Sequence, residues 1–259
     1  MLVDSHCHLD FPDFEKEGIE ALIARAKAVG VGQMLTICVR IAEFERVYAI
    51  ASRFDNIHCT VGTHPHQAQE APEQAVTLDA LIELTKHPKV AGIGETGLDY
   101  YYDQSPRDIQ QESFRKHIRA SLKTGLPLII HARDADEDII RILKEEGAKS
   151  GVMHCFSSGS WLAEEALKLG FYISFSGIVT FKKADDLRAI VKTVPLERIL
   201  VETDSPYLAP IPYRGRTNEP SFVVHTAQTV AGLKDISPEK LAQATTENFF
   251  QLFKKARPL

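Results

Sequence analysis

Val3-Asp4-Ser5-His6-Cys7-His8 stands at the start of the chain and reads as a short strand. Alternate residues of a strand share a face, so His6 and His8 can grip one ion together. An apolar run followed by a metal-seeking side chain then recurs along the sequence. Glu95 ends Val90-Ala91-Gly92-Ile93-Gly94, His131 follows Leu128-Ile129-Ile130, His154 follows Val152-Met153, and Asp204 follows Ile199-Leu200-Val201-Glu202-Thr203. Apolar runs fall at Leu2–Val3, Met34–Val39, Ile57–Val61, Val90–Ile93, Leu126–Ile130, Gly151–Met153, Tyr172–Phe175 and Ile199–Val201. They alternate with longer helical patterns, the rhythm of repeated βα units and a parallel sheet. Eight strands are what a TIM-type (β/α)8 barrel requires, and its strands deliver their C-terminal residues to one face. An open doubly wound sheet is the alternative.

The helical stretches carry start signals. In Ser105-Pro106-Arg107-Asp108, Ser105 can cap, Pro106 suits the first helical position and Asp108 closes a capping box, predicting a helix towards Lys123. Asp134 precedes an apolar stripe of Ile139, Ile140, Ile142 and Leu143, and Ser237-Pro238 opens a pattern ending near Phe253. No repeat beyond the βα rhythm and no linker interrupts the chain, so residues 1–259 are expected to form a single domain. The longest irregular segment, Ser205 to Ser221, follows the last strand and is a candidate active-site loop.

Composition narrows the class. The 259 residues are 44% apolar and 25% charged, the proportions of an ordinary globular protein. Thirty basic against 35 acidic residues give a formal net charge of −5, which excludes a protein that coats nucleic acid through a broad basic surface. Cys7, Cys38, Cys59 and Cys155 form no CxxC pair or disulfide framework and read as reduced thiols. No secretory signal and no apolar run of the roughly 20 residues a membrane helix needs is evident, so a cytoplasmic location without a membrane partner is expected.

His6, His8, Glu95, His131, His154 and Asp204 are more ligands than one tetrahedral ion accepts. They suit two divalent ions, with a carboxylate such as Glu95 able to bridge them. Two ions can clamp both the attacking and the leaving oxygen of a displacement, which points to hydrolysis. Such a centre attacks an amide, lactone or other small ester as readily as a phosphodiester, so a small-molecule amidohydrolase or esterase is the alternative. A non-catalytic metal-binding module would instead show a coordinatively closed site.

Seven motifs in order carry a resemblance over essentially the whole chain: Asp-Ser-His-Cys-His-Leu-Asp at 4–10, Gly-Thr-His-Pro-His at 62–66, Gly-Glu-Thr-Gly-Leu-Asp-Tyr-Tyr at 94–101, His-Ala-Arg-Asp-Ala at 131–135, His-Cys-Phe-Ser at 154–157, Glu-Thr-Asp-Ser-Pro-Tyr-Leu-Ala-Pro at 202–210 and Asn-Glu-Pro at 218–220. With these the chain resembles the TatD family of metal-dependent deoxyribonucleases, within the amidohydrolase-like barrels. The resemblance implies that the same six residues are the metal ligands. It implies two divalent ions (magnesium, manganese or zinc) and hydrolysis of DNA phosphodiesters, with 3′-5′ exonuclease trimming of single strands. Asp204, from the position related barrels use, would also take a proton from the attacking water.

Substrate contacts are expected from residues around these motifs. Arg133 can offer a two-pronged fork to a phosphate oxygen, and Arg214 and Arg216 can do so from the loop after the last strand. Related sequences carry a denser basic run there, which weakens the assignment of Arg216. His64 and His66 can touch substrate or support a ligand, without being ligands themselves. Tyr100, Tyr101 and Tyr207 can stack on a base, and Asn218 of the Asn-Glu-Pro motif is a further contact. His58, His87, His117 and His225 are read as structural or surface residues. No obligate protein partner is expected.

Overall fold

Buried on both faces, the strands read as continuous apolar runs, the signature of a parallel sheet wrapped by helices. The computed structural model describes residues 1–14 and 16–258. Its strands are β1 (Leu2–Cys7), β2 (Val31–Thr36), β3 (Ile57–Val61), β4 (Val90–Asp99), β5 (Leu128–Arg133), β6 (Gly151–Met153), β7 (Tyr172–Phe175) and β8 (Ile199–Val201). They pair in parallel in the order β1 to β8. Closure comes where Asp204 N donates to His6 O at 2.9 Å, His8 N donates to Ser205 O at 2.8 Å and Cys7 bridges Ser205. The expected TIM-type barrel is what forms.

Around it lie α1 (Ile19–Ala28), α2 (Phe44–Arg53), α3 (Ala71–Ala75), α4 (Leu78–Leu84), α5 (Arg107–Thr124), α6 (Asp136–Glu146), α7 (Ser160–Lys168), α8 (Asp185–Thr193), α9 (Val223–Leu233) and α10 (Pro238–Leu252). One apolar layer packs between strands and helices, and Ile139, Ile140, Ile142 and Leu143 enter it as their spacing predicts. A second layer fills the barrel's lower end. There Val3, Leu35, Ala91, Ile129, Val152, Tyr172 and Leu200 meet Phe249, Leu252 and Phe253 at the end of α10.

Four strands match their expected bounds and four do not. β1, β4 and β5 run on through polar residues to Cys7, Asp99 and Arg133, because ladder bonds to neighbouring strands hold them extended whatever their side chains. β2 lies earlier, at Val31–Thr36 rather than Met34–Val39, although Ile37 N still donates to Cys7 O at 2.9 Å. β4 needs its glycines. At Gly97 φ is +132°, and an added Cβ would stand 2.0 Å from His131 O, so only glycine lets β4 press against β5 here.

Ser105 does not cap α5, and Asp108 closes no capping box. The Ser105 hydroxyl instead donates to His66 O at 2.9 Å and accepts from Gln69 N at 3.1 Å, joining the loop after β3 to the loop after β4. Pro106 takes the cap position, one residue earlier than expected. α6 begins at Asp136, leaving Asp134 outside it at φ +52°. Ser237 does cap α10, accepting from Lys240 N at 3.2 Å. All four cysteines are free thiols. Among the described residues no helix is long and apolar enough to cross a membrane.

Candidate metal centre

β1 places His6 and His8 on the barrel mouth with their Nε2 atoms 3.3 Å apart. Asp204 Oδ1 lies 3.5 Å from His6 Nε2 and 3.3 Å from His8 Nε2. Glu95 Oε2 lies 3.4 and 4.0 Å from the same two nitrogens. Ligand atoms about 2.0–2.1 Å from one tetrahedral ion stand about 3.3 Å from each other, so these spacings match a coordination shell. The other oxygen of Glu95 faces a different set: Oε1 is 2.7 Å from His154 Nε2, 3.1 Å from His131 Nδ1 and 3.3 Å from His64 Nε2. One carboxylate thus joins two clusters.

The remaining nitrogen of each ring tells which way its lone pair points. His131 Nε2 donates to Asp99 Oδ2 at 3.0 Å and His154 Nδ1 donates to Glu202 Oε1 at 3.3 Å. Both rings therefore aim a lone pair at the centre, the usual orientation of a metal-binding imidazole. His64 is reversed: its Nδ1 accepts from His66 N at 3.1 Å, which puts the proton on Nε2 and makes it a donor towards Glu95. His64, Glu95 and His131 lie close enough to hold an ion, but this tautomer makes His64 a support, as its position after β3 suggests.

The donor set calls for positive charge. Burial works against charge on His154, yet Glu95 and Glu202 pull its pKa well above the ordinary imidazole range. Burial also opposes charge on Glu95, but His154 and the hydrogen bonds around it hold the carboxylate well below its usual range. His154 Nε2 nevertheless has no hydrogen-bond partner, because Glu95 Oε1 lies off the bonding direction. A buried lone pair without a partner, facing carboxylates at coordination distances, fits a divalent cation.

Three buried acids support this centre and were not singled out by the sequence reading. Asp99 takes the Nε2–H groups of both His131 and His66, the latter at 2.8 Å. Glu202 also accepts from Cys155 N at 2.7 Å. Asp4 accepts from the Thr203 backbone N at 2.9 Å and hydroxyl at 2.6 Å, with burial pushing its carboxyl up to about 8. Each sits inside a motif, Asp4 and Glu202 each two residues from a candidate ligand, but proximity in sequence does not reveal a supporting role.

Among the expected substrate contacts, Tyr207 stands at the rim, edge-on to Phe11, which stacks on His8 at 4.6 Å. Arg133 lies over the rings of Tyr101 and Tyr102. Arg216 is in the exposed loop after β8, its guanidinium 5.8 Å from the Tyr213 ring. Tyr100 is tied down, donating to Asp138 Oδ2 at 2.7 Å. Asn218 is corrected: it is fully buried, its amide donates to Thr203 O and Tyr207 O, and its Oδ1 accepts from Glu219 N. It pins the loop that carries Asp204 and cannot reach a substrate.

Comparison with known proteins agrees with this arrangement. Residues 3–254 match the family model described as TatD related DNase. The chain is 43% identical over 256 residues to the uncharacterized metal-dependent hydrolase YabD of Bacillus subtilis, covering 98% of this chain and 99% of that protein. It is equally 43% identical to the uncharacterized metal-dependent hydrolase YcfH of Escherichia coli, covering 97% and 95%. The crystal structure of YjjV, a TatD homologue from Escherichia coli, superposes with a TM-score of 0.91 at 29% identity over 98% of both chains. With the barrel, the two linked donor clusters and these relatives in agreement, the chain belongs to the TatD family of metal-dependent hydrolases.

Proposed function

We propose that the protein is a deoxyribonuclease that hydrolyses phosphodiester bonds at a centre of two divalent ions, trimming single-stranded DNA as a 3′-5′ exonuclease. The observation that carries this reading is Glu95, whose Oε2 faces His6 while its Oε1 faces His131 and His154, all at coordination distances. His6, His8, Asp204 and Glu95 would hold one ion, and Glu95, His131 and His154 the other. Magnesium, manganese or zinc suits this mixture of imidazoles and carboxylates. Two such ions supply positive charge for a phosphate and lower the pKa of water.

The chain's own groups then have distinct tasks. Asp204 is the proton acceptor for the attacking water: its side chain is 14% exposed, whereas that of Glu95 is 3% exposed, so a proton leaves it for solvent more readily. Burial tends to raise its pKa, but the hydrogen bond from His8 and the charges of His6 and His154 outweigh that and keep it below the usual carboxylate value. Asp99 and Glu202 hold the His131 and His154 rings with lone pairs inward. Arg133, Tyr207 and Arg216 line the approach for substrate. The family's description as DNases, and rim groups suited to phosphate and bases, favour a nucleic acid over a small amide. A cytoplasmic location is part of this proposal; among the described residues no helix is long and apolar enough to cross a membrane.

The test is shortening of an end-labelled single-stranded oligodeoxynucleotide by metal-stripped protein given magnesium, manganese or zinc in turn. A ladder is expected with at least one metal, and none from a His6→Ala/His8→Ala variant. Asp204→Asn should lower turnover by about 100-fold or more. Absence of cleavage with every metal, while two ions still bind, would overturn the DNA reading and leave the centre intact.

A further inference from the structure

β8 ends at Val201, so Asp204 reaches the barrel mouth from the turn beyond the strand. Its backbone sits at φ +55°, in the left-handed region. Aspartate tolerates that region better than most residues, but it stays there only where its neighbours hold it. Backbone bonds supply part of the hold: Asp204 N donates to His6 O at 2.9 Å and Tyr207 N donates to Asp204 O at 3.0 Å. The rest comes from two side chains, Thr203 and Asp4.

The residue before Asp204 offers a hydroxyl and the residue after it an N–H. Ser205 N donates to Thr203 Oγ1 at 3.1 Å, closing a ring around Asp204. The same hydroxyl donates to Asp4 Oδ2 at 2.6 Å, while Asp4 Oδ1 accepts from Thr203 N at 2.9 Å. Thr203 O in turn accepts from Asn218 Nδ2 at 2.8 Å. Asp4, Thr203 and Ser205 are each no more than 1% exposed, so bulk water cannot readily replace a lost partner. Asp4 lies on β1 two residues before His6, and by alternation it shares a face with His6 and His8. One carboxylate thus ties the turn carrying Asp204 to the strand carrying the two histidines that Asp204 Oδ1 faces at 3.5 and 3.3 Å.

We propose that Asp4 and Thr203 are positioning residues that clamp Asp204 in its left-handed turn and so fix its distance from His6 and His8 before any ion binds. The inference rests on the reading of Asp204 as a metal ligand. A clamped turn spares an arriving cation the cost of ordering the loop, so losing the clamp weakens the metal even where all the ligands remain. The Thr203 hydroxyl is the centre of the device, because it alone contacts both Asp4 and the peptide beyond Asp204. Valine has nearly the shape of threonine but would leave Ser205 N and Asp4 Oδ2 without that partner.

The experiment is calorimetric titration of metal-stripped protein with zinc, an ion that imidazole and carboxylate both bind. Thr203→Val should weaken zinc binding by about 10–100-fold, and Thr203→Ser, which keeps the hydroxyl, should recover most of that loss. Asp4→Asn/Thr203→Val should bind no more weakly than Thr203→Val alone, because both changes act on the same contact. Hydrogen exchange in the native, metal-free protein adds a measurement that needs no variant: the Ser205 amide should be protected as strongly as the Asp204 amide. A lower Tm in Thr203→Val with unchanged zinc affinity would make the hydroxyl structural only and overturn the proposal. So would losses that multiply in the double variant, a Ser205 amide that exchanges as fast as an unbonded one, or no zinc binding by the native protein. Asp204→Ala separates the two ideas. Native affinity in that variant rejects Asp204 as a ligand and the clamp's task with it, whereas a loss there beside native affinity in Thr203→Val rejects the clamp alone.

Discussion

His64 and His131 face the same oxygen of Glu95, yet one backbone hydrogen bond gives them opposite tasks. The amide of His66 occupies Nδ1 of His64, whereas Asp99 occupies Nε2 of His131, so only His131 turns a lone pair inward. Burial reinforces the difference by lowering the pKa of His64 to about 4, leaving it a neutral donor. On the two-ion proposal, His64→Ala should keep both ions, weakening one of them by about 10–100-fold as the loss of an outer support does. His154→Ala should lose that ion altogether. Metal analysis after dialysis distinguishes the two, and a His64→Ala protein holding only one ion would make His64 a ligand after all.

At the scale of elements, α5 is fastened to the loop after β3 through His117. This fully buried ring accepts from Thr63 N at 3.0 Å and donates to Ser113 O at 2.7 Å, so it is satisfied only when neutral. Burial first, then the neighbouring Lys116, pushes its pKa down to about 4. The unfolded chain takes up this proton near pH 6.5 and the folded chain does not. The contribution is therefore fully present above about pH 6.5 and lost as the pH falls towards 4, to the extent of about 3 kcal/mol. Urea unfolding at pH 7.5 and pH 5 should show less of this loss in His117→Gln than in the native protein, and identical slopes would discount the ring. The strand pattern was legible because burial on both faces demands apolar runs, and the six candidate ligands because they end or follow those runs. What escaped depends on neighbours distant in sequence. Ser105 finds its partner 39 positions away, Asp99 supports a ring 32 positions on and Glu202 one 48 positions back, and no local pattern encodes those choices.

Over the whole molecule the two ends of the barrel have opposite demands. The upper end gathers four imidazoles and several carboxylates, a concentration of buried charge that opposes folding unless cations neutralise it. The lower end is apolar, closed by Phe249, Leu252 and Phe253, and Phe253 reaches the start of β4, where a Cβ on Gly92 would stand 3.2 Å from its ring. Stability is concentrated where no chemistry occurs, so the two properties should separate on mutation. Phe253→Ala leaves a cavity against the barrel floor and should cost about 3–5 kcal/mol, or roughly 10 °C in Tm. At 25 °C the same variant should bind divalent metal with native affinity, because the floor touches none of the candidate ligands. Calorimetric melting paired with metal titration tests this. Loss of metal affinity equal to the loss of stability would mean that the floor and the mouth of the barrel unfold as one unit and that the metal centre draws its rigidity from α10.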